Sequence, residues 1–225
     1  MQQPIHKFAA IIYDAFAKKR NIIYAEQMQK YMRNQFIFFG IKTEERRNLL
    51  QLIIKKNTFP DYKDYLELAN LLLEYDEREM NYAVIDLATN YKKVWDNQML
   101  KLQNIIAYKK PWWDTVDASN SFIFKPFYKQ NKNALEQLVL WNNSENIWIV
   151  RLSIIGQLGQ KQKTDVALLS NNILKHNGSN EFFIQKAIGW ALRDYASYDP
   201  HWVKNFANNY ELKPLSKREA LRKIK

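Results

Sequence analysis

The sequence predicts an all-α protein, and three observations carry the prediction. Only five glycines and six prolines are spread over 225 residues. The long segments between them place apolar residues at spacings of three and four, the helical period, and no stretch alternates convincingly as a strand does. A composition of 47% hydrophobic and 14% aromatic residues belongs to a chain with a packed core.

The elements follow in order from their breaks. A group of helices before about residue 60 is expected to cap the chain, and the first interruption is "KNTFPDYKD" around Pro60. Later breaks fall in "YKKPWW" at Pro111, "WNNSENIW" near Asn142, "HNGSNEFF" at Gly178, "SYDPHW" at Pro200 and "LKPLSKRE" at Pro214. Most helices between them should run roughly 12 to 18 residues. "TEER" from Thr43 and "SKRE" from Ser216 place Ser or Thr three residues before Glu, the pattern of a capping box at a helix start.

Helical segments begin near Arg78, Trp112, Asn146 and Phe182, at intervals of 34, 34 and 36 residues. Between them lie others, such as "DNQMLKLQNIIAY" and "TDVALLSNNILKH". A helix pair repeated about every 35 residues is an α-solenoid unit of HEAT-like type. An irregular helical bundle is the alternative, since identity between units is poor. No linker or low-complexity stretch divides the chain, so a single domain over residues 1–225 is expected.

Composition narrows the function. The net charge of +11 points to a polyanionic partner, nucleic acid before membrane, with a basic surface kept for solubility as the bland reading. No run of about 18 apolar residues exists and the N-terminus carries no secretory signal, so a soluble, cytoplasmic protein is expected. The absence of cysteine excludes disulfides, thiolate zinc sites and cysteine nucleophiles. His6, His176 and His201 stand singly, without metal-ligand spacing, so no metal is expected.

The chemistry-bearing stretch is "KKPWWDTVDASNS", from Lys109 to Ser121. Trp112 and Trp113 cannot both face one core, so one should be buried and the other exposed. Asp114 suits a first-turn carboxylate on the helix dipole. Asp117 shares a helix face with Trp113, as Lys186 does with Trp190 and Arg193. Arg151 interrupts the apolar "NIWIVRLSIIGQL", so its charge should leave the core on one face. Stacking successive helices brings Asp117, Arg151 and Arg193 to one surface beside Trp113 and Trp190. An ordinary Asp117–Arg151 salt bridge is the structural reading of the same residues. "KQK" at Lys161 to Lys163, and the C-terminal "KPLSKREALRKIK" with six cations against one acid, are by themselves solvated charge.

Together, "YMRNQFIFFGIKTEERRNLL", "KPWWDTVD", "SENIWIVRLSIIGQLGQKQK", "EFFIQKAIGWALRDYA" and "ELKPLSKREALRKI" closely resemble the AlkD-type DNA alkylation-repair glycosylases, built of HEAT-like repeats. The resemblance runs from about Gln27 to the C-terminus. It implies a curved solenoid with a concave basic groove that excises cationic N3- and N7-alkylpurines from duplex DNA, as a monomer and without a cofactor. Asp117 matches the family's catalytic aspartate, and Trp113 and Trp190 match the tryptophans that flank the damaged nucleotide. Arg151 matches a basic residue next to that site. Tyr31, Thr43, Arg47, Lys161, Lys163 and Arg193 match positions expected to touch DNA, and Lys186 joins them on the helix face it shares with Trp190. One departure is Gly159, where the family pattern has a lysine shortly before "KQK". A non-catalytic HEAT-like protein binding damaged or branched DNA is the alternative function, and a helical interaction scaffold is a third.

Overall fold

The computed structural model describes residues 4–131 and 133–224. The described residues form α-helices, short 3₁₀ turns and one π-helical segment, and extended backbone pairs only in an isolated bridge between Ile37 and Glu77. The helices are α1 (Pro4–Ala17), α2 (Ile22–Tyr31), α3 (Thr43–Lys56), α4 (Tyr65–Glu74), α5 (Arg78–Ala88), α6 (Gln98–Tyr108) and α7 (Trp113–Ser119). They continue as α8 (Lys125–Gln130), α9 (Ala134–Asn142), α10 (Ile147–Ile155), α11 (Val166–Leu174), α12 (Phe182–Tyr195), α13 (Pro200–Asn209) and α14 (Pro214–Leu221). The chain divides into two compact units, the first ending at Ile105 and the second running from Ile106. No helix of the described residues is long and apolar enough to cross a membrane.

The breaks expected from proline, glycine and asparagine separate helices as anticipated, but the helices are shorter, from 6 to 14 residues. Polar side chains fix the starts of four of them. Asn21, Asn146, Asp165 and Asp199 each accept a hydrogen bond from a first-turn N–H, which satisfies donors that the helix itself cannot. Neither expected capping box forms. Thr43 is already the first residue of α3, behind Lys42, and contributes no cap. Pro214, whose fixed φ and missing N–H favour a first helical position, starts α14 early. Ser216 therefore lies inside the helix, where it is buried and its hydroxyl donates to the Gln185 carbonyl.

In the N-terminal unit, α1 packs on α3 and α4, and α5 packs on both of those. Phe8, Ile12 and Phe16 of α1 meet a core that includes Leu50, Leu68, Leu72, Val84 and Leu87. The loop before α3 is held from below by Glu79, wholly buried on α5, whose carboxylate accepts the N–H groups of Phe39, Gly40 and Ile41 at 3.0, 2.8 and 3.0 Å. Gly40 has φ +87°, and a Cβ there would lie 2.1 Å from the Asn21 carbonyl oxygen. Only glycine fits both the left-handed backbone and the close passage over the start of α2.

In the C-terminal unit, the first helices of successive pairs stack in order: α7 on α10, α10 on α12, α12 on α14. The second helix α9 packs on both α10 and α11, and α13 packs on α12 and α14. This is the helix-pair stacking of an α-solenoid, and the pairs of this unit begin at Trp113, Ile147 and Phe182, close to the expected register. Ile154, Ile173, Ile188, Leu192, Val203 and Phe206 fill the space between layers. Buried amides fix the register of the layers: Asn142 donates to the Ser153 hydroxyl and the Asn172 carbonyl, and Asn172 donates to the Ser153 carbonyl. Gly189 of α12 admits α14 closely, since a Cβ there would meet the Glu219 Cβ at 2.5 Å.

Glu79→Ala would leave three buried N–H groups without an acceptor, and we expect a loss of about 3 kcal/mol or more of stability in urea unfolding. Wild-type stability in this variant would show that the loop is held by something else.

Candidate functional site

The site lies in the C-terminal unit and begins at the entry to α7. Trp112 is extended, with φ −157°, and caps the helix; Trp113 opens it. The two rings diverge. Trp112 packs on Trp148 and Phe183, with ring centroids 5.7 and 4.9 Å apart, whereas Trp113 lines a cavity of about 290 Å³. Both are half-buried, so the expected division into one buried and one exposed tryptophan is replaced by two partly covered rings. The cavity shields one and an aromatic cluster shields the other.

Asp117 stands one turn further along α7. Arg151 of α10 grips it with a two-pronged fork: Nε donates to Oδ1 at 2.8 Å and Nη2 to Oδ2 at 2.7 Å. The third prong, Nη1, donates to the Phe183 carbonyl at 2.6 Å. Arg151 is only 4% exposed, so its charge does not leave the core as the sequence led us to expect. It stays inside because carboxylate and carbonyl together meet its donors, the condition under which a buried guanidinium is tolerated. Its guanidinium also lies over the Trp190 ring, 6.0 Å from the centroid.

Directly after α7 the chain takes a π-helical turn, Asn120–Phe124. Asn120 is anchored there by a hydrogen bond from its Nδ2 to the Ile155 carbonyl, 3.1 Å away at the end of α10. The wider turn re-aims everything downstream of Asp117 without breaking the helical run, a use commonly made of such segments beside functional groups.

The far wall of the cavity is α12, with Phe182, Phe183, Lys186, Trp190 and Arg193. Lys186 and Arg193 are not independent cations. Lys186 Nζ lies 3.0 Å from Glu219 Oε1 of α14, and Arg193 Nη1 pairs with Oε2 of the same carboxylate. The sequence reading gives Glu219 to a capping box with Ser216; the structure turns this one acid of the basic C-terminal segment toward α12 instead. The Phe183 carbonyl is a backbone group and leaves no signal in the sequence.

The two carboxylates are poised oppositely. Burial pushes the Asp117 carboxyl above its ordinary value, against the lowering hydrogen bonds and charge of Arg151 and with a smaller raising influence from Asp114. Hydrogen bonding from Lys186, and then Arg193, holds Glu219 below the usual range despite its own desolvation. Two acids whose environments drive them apart in this way are suited to different tasks. Among the described residues, no group of three or more His, Asp or Glu could hold a metal ion.

The remaining sequence candidates lie elsewhere. Lys161 and Lys163 are exposed on a 3₁₀ turn of the C-terminal unit. Tyr31, Thr43 and Arg47 belong to the N-terminal unit. Tyr31 ends α2 and is 73% exposed, and Thr43 begins α3 and is also exposed. Arg47, exposed one turn along α3, pairs with Asp86 Oδ1 at 2.8 Å, while the buried Arg46 takes Oδ2 at 2.9 Å.

Comparison with known proteins gives a consistent result. A family model described as DNA alkylation repair enzyme matches residues 12–224. Among solved structures, a chain described as a predicted DNA alkylation repair enzyme from Enterococcus faecalis is similar at 32% identity with a TM-score of 0.84, covering 92% of this chain and 97% of its own. No curated protein matches the chain.

Replacing Arg151 by Met removes both influences that lower the Asp117 carboxyl. We expect its pKa, followed by carboxyl NMR, to rise further, and stability to fall by about 3 kcal/mol as a buried charge loses its partner. An unmoved titration would mean that the fork does not set the protonation of Asp117.

Proposed function

Because the chain belongs to the DNA alkylation repair enzyme family, we propose that it is a monofunctional DNA glycosylase that hydrolyses the N-glycosidic bond of cationic N3- and N7-alkylpurines, such as 3-methyladenine and 7-methylguanine, in duplex DNA. The observation that carries this reading is one half-buried carboxylate, Asp117, lining a cavity together with two tryptophans and clamped by an arginine.

The substrate supplies half of the chemistry. An alkylated purine already bears positive charge and departs as a neutral base, so no general acid is needed to protonate it. Ordinary glycoside hydrolysis uses two carboxyl groups, and here one suffices. As the bond to the base lengthens, positive charge gathers on the deoxyribose. Asp117 stabilises that charge and orients the attacking water. Arg151 occupies one lone pair on each oxygen of Asp117, and a carboxylate has further lone pairs to offer. The fork therefore fixes the carboxylate without closing it, and preorganisation of this kind avoids reorientation when the charge appears. The π faces of Trp113 and Trp190 favour the same cation. Lys161, Lys163, Lys186, Arg193 and Arg47, with the polar Thr43 and Tyr31, contribute phosphate contacts that position the duplex without reading its sequence.

The decisive experiment incubates the protein with duplex DNA carrying one N7-methylguanine and measures abasic sites. We expect Asp117→Asn to lower the rate of release by about 10²-fold or more. Release by wild type no faster than the spontaneous background, or equal release by the variant, overturns the reading.

A pH profile gives a second check. Only ionised Asp117 serves, so release should fall on acidification with an inflection above the ordinary aspartate value, following its raised pKa. This loss is not unfolding. Between the unfolded and the raised folded pKa of Asp117 the native state holds the proton and the unfolded chain does not, so this group adds stability as pH falls through that window. Glu219, depressed when folded, withdraws stability only at lower pH. Circular dichroism recorded alongside should therefore stay native across the inflection.

A further inference from the structure

The turn from Gly156 to Thr164 takes no part in the cavity, yet it is firmly built. Gln157 closes its base by pairing with both the N–H and the carbonyl of Asp165, at 2.7 and 3.0 Å. At its tip Gly159 donates its N–H to Asp194 Oδ2 at 2.6 Å. Gly159 and Lys161 both adopt left-handed backbone, φ +76° and +53°, a conformation that costs a non-glycine residue about 1 kcal/mol and persists only where its surroundings enforce it.

Against this turn lies Lys125, the first residue of α8. Its ammonium occupies the space that a side chain at position 159 would fill, for a Cβ there would stand 2.6 Å from Nζ. Lys125 is half-buried and has no hydrogen-bond or ion-pair partner among the described residues. Gln160, 8% exposed, has a buried Nε2 that likewise finds no acceptor among them. Lys161 and Lys163 add two exposed ammonium groups on the same turn. Both nearby carboxylates are engaged by backbone: Asp194 by the Gly159 N–H, and Asp165 by the Leu168 N–H at the start of α11. The Lys125 ammonium and the buried Gln160 Nε2 are donors here without an acceptor among the described residues.

We propose that Lys125 and the 159–163 turn form a seat for one phosphodiester group of the DNA backbone, with Lys125 as its central contact and Gly159 bare so that the ammonium can reach it. The proposal rests on the reading of this protein as a DNA-acting enzyme. A phosphodiester supplies the missing acceptors and the negative charge together. Lys125 is itself half-buried, with its ammonium held against the Gly159 backbone, so less freedom is lost when it pairs than for a fully exposed lysine. The contact positions the duplex and carries no base specificity.

Binding of a fluorescent undamaged duplex is measured across a salt series for wild type, Lys125→Gln, Lys125→Arg, Gly159→Ala and the double variant K125Q/G159A, with thermal melts confirming that each is folded. We expect K125Q to weaken binding about tenfold near 50 mM salt and to flatten the slope of log K against log salt by about one, while K125R retains the wild-type slope. Gly159→Ala should reproduce much of the K125Q loss by displacing the ammonium, and should add little in the K125Q background. A wild-type slope in K125Q overturns the seat alone, as does simple additivity of the two losses. A wild type that binds no duplex at any salt overturns the DNA reading and the seat with it.

Discussion

A guanidinium without water must be answered on every side, and the burial of Arg151 organises the C-terminal unit around that requirement. Its fork fixes Asp117 of α7 and its remaining prong fixes the Phe183 carbonyl at the head of α12. One side chain on α10 thereby ties together α7, α10 and α12, the first helices of three successive pairs. The cluster of Trp112, Trp148 and Phe183 packs beside the same junction. Leaving either charge unpaired in so dry a place is far costlier than leaving an exposed pair apart, so the arrangement that holds the fold also holds the candidate catalytic carboxylate.

Polar contacts between layers recur at nearly the length of the repeat. Asp117 and Arg151 are 34 residues apart, Asn120 and Ile155 35, Asn142 and His176 34, Gly159 and Asp194 35, Lys186 and Glu219 33. A solenoid sets each helix beside its counterpart one unit on, so polar residues at equivalent places meet by construction. A site can then arise from ordinary repeats when a few such places carry a carboxylate, an arginine and aromatic rings. The same spacing pairs an acid with a cation between α7 and α10 and again between α12 and α14, with opposite effects on the acids. Asp117 is enclosed and its carboxyl is raised, while Glu219 lies between two cations and is lowered.

Much of this could be read from the residues. The all-helical class followed from apolar spacing and scarce glycine, and the stacking register from segments that begin about every 35 residues. The gathering of Trp113, Asp117, Arg151, Lys186, Trp190 and Arg193 around one cavity followed from shared helix faces laid in that register. The expectation failed where competing local interactions decided. The Thr43 and Ser216 capping boxes do not form, because Thr43 is already inside α3, Pro214 starts α14 early and burial claims Ser216 for the Gln185 carbonyl. Glu219 reads from the sequence as the glutamate of a capping box, and its place beside Lys186 and Arg193 emerges only when α14 is seen against Gly189.

The sequence by itself determined periodicity, and with it which side chains share a face, because 3.6 residues per turn and a repeat near 35 are properties of the chain alone. Only the tertiary structure decided what those side chains do to one another. Whether Arg151 reaches solvent or stays buried, which of two adjacent tryptophans opens onto the cavity, and whether a carboxyl is raised or lowered all depend on desolvation and on distances of a few ångströms between helices. Such distances are set by packing between helices within the C-terminal unit, where backbone groups such as the Phe183 carbonyl and absent atoms such as the Gly159 Cβ count as much as any residue type.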